Sequence, residues 1–321
     1  MGALIDGKWT EEAEKAFREG AFTRTESIFN QRLSQGVLSS IAAREQRYYL
    51  IASLSCPWSH RVILVRALKG LNKKLPLVIA KGPRIEGYAV DGSEIPGLEG
   101  KNIHHIHQLY ALTDPTYSGR ATVPLLWDSK EERIICNSSS PLMRSLDDLM
   151  EETSIQLVPS SELHQINCLN TRIHTGLSNA VYRAGLARSQ AAYKDAVDHV
   201  FATLDFLEDR LSVSRYLCGS QITESDLQLF TTLVRFDAVY ATHFRCTRKR
   251  LVDYPSLWAY ARDIYLLPGV SETVDFSAIL DGYYSNDGDI NPYGIIADLP
   301  TVNWLAPHTR HHLASEGPVT T

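Results

Sequence analysis

The sequence has few cysteines, only three methionines and no long apolar run among its 321 residues. Its five cysteines are odd in number and widely spaced, which excludes a disulfide framework and favours a reducing cytoplasm. The longest uncharged apolar stretch, residues 48–59, falls short of the roughly 18 residues that a membrane helix requires. The N-terminus shows no basic region followed by an apolar run. We therefore expect a cytoplasmic protein that neither crosses a membrane nor is anchored to one.

The sequence also lacks an excess of basic residues. Its 32 lysines and arginines stand against 37 aspartates and glutamates, a formal net charge of −5. Because a nucleic-acid binder needs a basic face for phosphate contacts, this balance argues against nucleic acid as a partner and favours a small-molecule substrate. With 44% hydrophobic and 21% charged residues, the composition is that of a globular protein, and the length predicts roughly two domains.

Signals for a bound metal or cofactor are missing too. The histidines form two groups, and neither group has a cysteine or carboxylate at the spacing of metal ligands. The glycines between residues 82 and 100 lack the strand-to-helix context of a nucleotide-binding loop. We therefore expect neither a metal nor a bound cofactor. The histidine groups are His104, His105 and His107, and His308, His311 and His312.

Strands and helices mix in the first half of the sequence. A strand, a helix and a second strand come first, and such a βαβ unit places its two strands parallel. A hairpin and a serine-capped helix complete the domain. Between them, residues 81–119 are too long for a simple connection and are expected to form a functional insertion over a site. The predicted strands are 48–52, 75–80, 122–128 and 133–137, and the predicted helices are 57–68 and 142–150.

Residues 160–280 have helical periodicity and predict an all-α domain, whereas residues 281–321 show no period. Thr223 and Asp226 form a capping box, whose role is in folding. The predicted helices are 163–177, 191–211, 227–240 and 257–265. We place an N-terminal arm at 1–45, an α/β domain at 46–152, the all-α domain at 160–280 and a C-terminal extension at 281–321.

Cys56 is the sharpest chemical feature of the sequence. It stands immediately before Pro57, the first residue of a predicted helix, where unpaired N–H groups and the helix dipole favour a thiolate. His60 and Arg61 are expected to add positive charge nearby. Ser59 occupies the place of the second cysteine in a dithiol oxidoreductase, so a mixed disulfide on Cys56 needs an outside thiol for its release. The structural alternative is a buried cysteine without a chemical role.

Two further segments have the character of a binding site. Val123-Pro124 is a candidate cis peptide that would expose the Val123 backbone for pairing with an extended ligand, and a trans proline at a strand edge is the alternative. Ser138 and Ser139 stand at a helix start, where hydroxyl and N–H groups bind carboxylates. A plain N-cap would show the same pattern.

Long motifs in both halves are similar to those of one family. The motifs are 55–61 (SCPWSHR), 114–128 (DPTYSGRATVPLLWD), 231–240 (TTLVRFDAVY), 242–244 (THF) and 290–295 (INPYGI). In these segments the sequence resembles the glutathionyl-hydroquinone reductases, the xi class of the cytosolic glutathione transferases. This resemblance implies an α/β thioredoxin-like N-terminal domain plus an all-α C-terminal domain, a homodimer, and reductive removal of glutathione from glutathionylated hydroquinones.

The resemblance also implies residue roles. Cys56 is the nucleophile, and its attack on the thioether sulfur leaves a mixed disulfide. Val123 before cis-Pro124 pairs with the backbone of the thiol, and Ser139 holds its γ-glutamyl carboxylate. The residues that match the quinol pocket are Tyr182, Tyr240, Tyr283 and His243, of which Tyr182 and Tyr283 are assigned to catalysis. The alternative for these tyrosines, and for Tyr240 above all, is helix packing.

The sequence departs from the family pattern at two thiol-binding positions. Ser138 stands where the family has a glutamate, and Tyr88 stands where it has a tryptophan. The first change removes a carboxylate that would meet the ammonium group of glutathione. We therefore expect glutathione or another low-molecular-weight thiol as cosubstrate, with the sugar-based mycothiol as a candidate.

Two other functions use the same fold. An omega-like thiol transferase, acting on disulfides or dehydroascorbate, would keep Cys56 but not the quinol pocket. A non-catalytic interaction module would need no reactive thiol.

Overall fold

The computed structural model describes residues 2–11, 17–23, 27–149, 155–288 and 290–315. The chain divides into two compact units. The first comprises Met1–Lys15, Thr25–Ser154 and Ser277–Ile295, and the second comprises Ala16–Arg24, Ile155–Phe276 and Ile296–Thr321. The predicted C-terminal extension thus contributes to both units. The predicted boundary at residue 152, the helix end at 150 and the end of the chain after 315 lie outside the described residues.

Short strands and ten helices are seen in the described ranges. The strands are β1 (Ala3–Ile5), β2 (Lys8–Thr10), β3 (Phe17–Arg18), β4 (Ala21–Phe22), β5 (Tyr48–Ala52), β6 (Leu77–Ile79), β7 (Leu125–Asp128) and β8 (Arg133–Cys136). The helices are α1 (Gln35–Ala42), α2 (Pro57–Leu68), α3 (Ile106–Thr113), α4 (Ser139–Asp147), α5 (Leu163–Ile173), α6 (Ala180–Gly185), α7 (Gln190–Val213), α8 (Glu224–Arg235), α9 (Pro255–Tyr265) and α10 (Phe276–Tyr284).

A four-stranded mixed sheet forms the centre of the first unit, in the order β6-β5-β7-β8. Strand β5 pairs in parallel with β6 and antiparallel with β7, and β7 pairs antiparallel with β8. Both predicted pairings, the parallel βαβ unit and the hairpin, are confirmed. Every residue of β5 and β7 is buried, which explains why these strands are continuous apolar runs without an alternating polar face.

The N-terminal part of the chain has more regular structure than predicted. Strands β1 and β2 form a hairpin, and Leu4 exchanges two backbone hydrogen bonds of 2.9 Å with Gly119 at the end of the insertion. Leu4 is fully buried there. Helix α3 lies within the predicted insertion 81–119. The sequence analysis missed these elements because each is short and is stabilised by contacts distant in sequence.

The second unit contains helices α5 to α9. Two of the predicted helices end in a π-helical turn instead of regular α-helix, at His174–Ser178 and Phe236–Tyr240. The predicted capping box at the start of α8 is confirmed, because the Asp226 carboxylate accepts the Thr223 N–H at 2.7 Å. The same carboxylate accepts the hydroxyl of Tyr260 at 2.8 Å. Of the helices in the described ranges, none is both long and apolar enough to span a membrane.

Candidate active site

Cys56 caps the N-terminus of α2. Its backbone is extended, with φ −80° and ψ 120°, and Pro57 opens the helix. The thiol is 9% exposed, and its Sγ lies 3.5 Å from the carbonyl oxygen of Val123. The thiol donates to that carbonyl, and the positive end of the helix dipole lies next to a cysteine at the margin of the protein interior.

Ser59 in α2 stands where a dithiol site would have its second cysteine. Ser59 is fully buried, and its hydroxyl accepts the backbone N–H of Ser53 at 3.2 Å. The hydroxyl at the second-cysteine position thus holds the loop in shape. Burial raises the pKa of the Cys136 and Cys218 thiols to about 11 and that of Cys246 to about 12, which leaves these groups protonated at neutral pH. Cys168 is exposed, on α5 of the second unit.

The Val123-Pro124 peptide is cis, as predicted. Val123 and Pro124 are both buried, and the Val123 carbonyl lies against the Cys56 thiol. An extended peptide bound along Val123 would therefore bring a sulfur close to Cys56. The role of Val123 in binding stays a prediction.

Ser138 and Ser139 stand at the start of α4, as predicted. Ser138 is the N-cap residue, with φ −113° and ψ 124°, and Ser139 is the first helical residue. Within the described part of the chain, the Ser138 side chain makes no capping hydrogen bond. The Ser138 side chain therefore does not act as a plain helix cap in the structure. The helix start presents the hydroxyl and N–H groups that suit a carboxylate.

Tyr88 lies beside the thiol and is half-buried. Burial raises the pKa of its phenol, the positive charge of Arg84 lowers it, and a negative charge on Cys56 raises it. The Arg84 guanidinium carbon lies 5.3 Å from the centre of the Tyr88 ring. Arg84 was not predicted as part of the site, because an arginine in a long insertion gives no local signal of its partner.

Helix α10 brings Tyr283 to the thiol loop. A Cβ added to Gly282 would overlap the side chain of Ser55, the residue before Cys56, so the helix approaches at a position where only glycine fits. Arg84 holds this arrangement: its Nη2 donates to the Gly282 carbonyl at 2.7 Å. Its backbone N–H donates to Asn286 Oδ1 at 2.6 Å. Tyr283 itself is buried next to this contact.

The other three predicted quinol residues share one aromatic cluster in the second unit. The ring of Phe244 is its centre, with Tyr182, Tyr240 and His243 at centroid distances of 5.2, 5.6 and 5.4 Å. A Cβ at Gly185 would overlap the Phe244 ring, so Gly185 permits this packing. The central position of Phe244 in this cluster was not predicted from the sequence. Tyr240 is 1% exposed, so its packing alternative remains open.

One π-helical turn ends at Tyr240, and another ends four residues before Tyr182. The Ala241 N–H donates to the Phe236 carbonyl at 2.7 Å, directly after Tyr240. The Asn179 N–H donates to the His174 carbonyl at 2.9 Å, three residues before Tyr182. A π turn changes the direction of the side chains that follow it and is frequent at functional sites. Helical periodicity in the sequence does not reveal such turns.

Family models match both units of the chain. Residues 55–149 match the glutathione S-transferase N-terminal domain, and residues 190–263 match the glutathione S-transferase C-terminal domain. The glutathionyl-hydroquinone reductase YqjG of Escherichia coli K12 is 40% identical over 97% of this chain and 98% of its own length. The chain belongs to the glutathione transferase family.

Solved structures agree with this assignment. A xi-class glutathione transferase from Natrialba magadii superposes with a TM-score of 0.86 and 34% identity, over 97% of this chain and 98% of that one. The glutathione-bound structure of YqjG superposes with a TM-score of 0.80 and 38% identity, over 96% and 99%. The predicted fold class, a thioredoxin-like domain followed by an all-α domain, is confirmed, and the resemblance to xi-class transferases is confirmed with it.

Proposed function

We propose that this glutathione transferase removes the thiol from S-thiolated hydroquinones by way of a mixed disulfide on Cys56. The observation that carries the proposal is the single cysteine at the start of α2, with Ser59 in place of a second thiol and the Val123 carbonyl 3.5 Å from its sulfur. The relative from E. coli is named for this reaction, and its structure with bound glutathione supports a small-molecule thiol as cosubstrate.

The reaction takes place in two balanced steps. The Cys56 thiolate attacks the sulfur of the thioether, so an S–S bond forms, the C–S bond breaks, and the ring carbon leaves with the electron pair. That carbon takes a proton, so the ring is reduced while the two sulfurs are oxidised to a disulfide. A second thiol then attacks the mixed disulfide, releases a small-molecule disulfide and restores the Cys56 thiolate.

Carbon is a poor leaving group unless the ring oxygens share the developing charge. We assign this task to Tyr182 and Tyr283, whose phenols would hydrogen-bond a dienone-like tautomer of the ring. Tyr240 and His243 would contact the same ring. Tyr283 is next to the thiol loop through Gly282, and Tyr182 belongs to the Phe244 cluster.

The thiol site would bind the cosubstrate by its backbone and by the polar group that reaches the start of α4. The Val123 backbone beside cis-Pro124 would pair with an extended thiol. Ser139 with Ser138 would hold the γ-glutamyl carboxylate of glutathione or, in the sugar-based mycothiol, which has no carboxylate, a sugar hydroxyl. Tyr88 would cover the sulfur. Because Ser138 brings no negative charge to an ammonium group, we propose a thiol without a free γ-glutamyl amine, with mycothiol as the candidate. We also propose a homodimer and a cytoplasmic location.

Steady-state turnover of a glutathionyl-hydroquinone and of its mycothiol counterpart tests this function. Cys56→Ser is expected to lower turnover at least about 10³-fold, since the nucleophile is lost. Cys168→Ser is the matched control and should keep wild-type activity. Full turnover by Cys56→Ser would contradict the mechanism, and equal or better turnover with glutathione would contradict mycothiol as the preferred thiol.

A further inference from the structure

The hydroxyl of Tyr110 makes three hydrogen bonds inside the first unit, and the Thr122 hydroxyl lies 3.4 Å from it. Tyr110 lies on α3 and is fully buried, at 0% exposed. Its hydroxyl donates to the Thr122 carbonyl at 2.9 Å, and it accepts the Thr122 N–H at 3.2 Å and Asn137 Nδ2 at 2.7 Å. A phenol has one donor and two acceptor positions, so all of them are used.

These three bonds reach both halves of the thiol site proposed above. Thr122 is the residue before Val123, whose carbonyl lies against the Cys56 thiol. Asn137 is the residue before Ser138 and Ser139 at the start of α4. One buried oxygen therefore connects the strand that would pair with the thiol backbone to the helix start that would take its carboxylate or sugar hydroxyl.

Phe29, in the N-terminal part of the chain, holds Asn137 in place. Strand β8 ends at Cys136, and the Asn137 N–H donates instead to the carbonyl of Phe29 at 2.8 Å. The Phe29 ring lies 6.0 Å from that of Tyr110. Burial raises the pKa of the Tyr110 phenol, so the hydroxyl keeps its proton at neutral pH.

We propose that Tyr110 is a positioning residue that fixes the Thr122-Val123 backbone and the Ser138-Ser139 helix start at the spacing the thiol cosubstrate needs. A preorganised site loses less conformational freedom when its ligand binds, so the effect appears in thiol affinity. The inference rests on the proposed function, because it assumes that Val123 and Ser139 bind the thiol.

Tyr110→Phe tests this role with little change in shape. The readout is the KM for the glutathionyl conjugate and for the mycothiol conjugate, titrated separately at saturating free thiol. We call it the thiol KM, because the thiol part of the conjugate occupies the site. We expect the thiol KM of Tyr110→Phe to rise about tenfold, because the two binding elements lose their common anchor. We expect kcat at saturating thiol and the rate of Cys56 alkylation by iodoacetamide to stay within about twofold of wild type.

Tyr117→Phe is the matched control. Tyr117 is also buried, and its ring lies 5.0 Å from that of Tyr110. Its hydroxyl donates to the Arg120 carbonyl at 3.0 Å and has no part in the network of Tyr110. A general loss of packing or stability would affect both variants, whereas a positioning role raises the thiol KM of Tyr110→Phe alone.

Asn137→Ala covers the case in which Tyr110→Phe does not fold. It removes one of the three bonds, and its thiol KM should rise about threefold. Equal thiol KM values in Tyr110→Phe and Tyr117→Phe, or a wild-type KM in Asn137→Ala, would overturn the positioning role. Full activity in Cys56→Ser would instead overturn the proposed function itself, so the two failures are distinguishable.

Discussion

The thiol site of the first unit and the aromatic cluster of the second differ in what holds their residues. Hydrogen bonds fix the first: Ser59 to Ser53, and Tyr110 to Thr122 and Asn137. Ring packing around Phe244 fixes the second. The internal hydrogen bonds fix the backbone of the residues proposed to bind the thiol, whereas the residues proposed to bind the quinol are held by contacts between rings. The difference shows that the first set depends on single polar atoms and the second on the shape of an aromatic cluster.

The largest expected effect comes from removing the two phenols assigned to the ring. The double variant Tyr182→Phe with Tyr283→Phe should lower kcat for quinol conjugates by about 10² to 10³, because the leaving carbon loses its charge stabilisation. Thiol exchange with a small disulfide, measured on the same preparation, should change less than about twofold, since it needs Cys56 alone.

Tyr284→Phe controls for the loss of a phenol, because Tyr284 is buried beside Tyr283 on α10. It should keep quinol turnover. If the double variant leaves both reactions unchanged, an omega-like thiol transferase becomes the better account. If wild-type Cys56 does not react with iodoacetamide, a non-catalytic interaction module becomes the better account.

Gly282→Ala should disturb the thiol site indirectly, by way of Ser55, the residue before Cys56. The new Cβ would overlap the Ser55 side chain. Such overpacking lowers the free energy of unfolding by about 1–3 kcal/mol. Shifting the loop before Cys56 should lower kcat/KM about tenfold. Gly288→Ala is the control, because a Cβ there meets nothing within 4 Å. Thermal unfolding and turnover are measured together, and equal behaviour of the two variants would contradict the close approach of α10.

Ser138→Glu should shift the preference of the thiol site towards glutathione. The new carboxylate would meet the ammonium group of glutathione, so kcat/KM for glutathione relative to mycothiol should rise about tenfold. Ser140→Glu places the same charge in the first turn of α4 without replacing the cap residue, and it should leave the ratio unchanged. A ratio that moves equally in both variants would show a general charge effect instead of recognition.

The smallest effect concerns the Arg47–Asp128 ion pair and its contribution to the stability of the fold at acidic pH. Arg47 donates to both carboxylate oxygens of the buried Asp128, at 2.8 and 2.7 Å. Burial raises the pKa of Asp128, but the hydrogen bonds from Arg47 and the backbone outweigh it and hold the pKa below 3.8. The ionised form therefore stabilises the fold above about pH 4, and this contribution is lost as pH falls further.

Asp128→Asn should flatten that acid dependence. Unfolding by urea, followed between pH 2.5 and 6, should show a shallower fall in stability than wild type. Turnover at neutral pH should stay close to wild type where the variant is folded, since Asp128 is not part of the thiol site. An unchanged pH profile of stability would contradict the role of the Arg47 pair.

Local patterns predicted much of the first unit and little of the contacts that complete its site. The cysteine before Pro57, the βαβ unit and the hairpin are encoded in neighbouring residues, so they were predictable. The anchors of the site are not: Arg84 binds Gly282 across 198 positions, and Phe29 binds Asn137 across more than 100. A single sequence gives no signal for pairs so distant.

In the second unit, too, the sequence predicted the main elements but not the details that depend on tertiary packing. Helical periodicity predicted where its main helices lie, and the capping box predicted the start of α8. The π-helical turns at His174–Ser178 and Phe236–Tyr240 depend on how neighbouring helices pack, and periodicity continues through them. The motifs contain Tyr240 and His243, and the resemblance assigned Tyr182 to the same pocket, but the packing of all three against Phe244 is seen only in the structure.

The intact mass of the protein after one turnover tests the central claim most directly. Wild type and Cys56→Ser are each mixed with a glutathionyl-hydroquinone, and separately with its mycothiol counterpart, without free thiol. The account predicts one thiol adduct on wild type, an equal amount of released hydroquinone, and no adduct on Cys56→Ser, with the mycothiol conjugate reacting faster. An absence of adduct from both conjugates while Cys56 still reacts with iodoacetamide would contradict it.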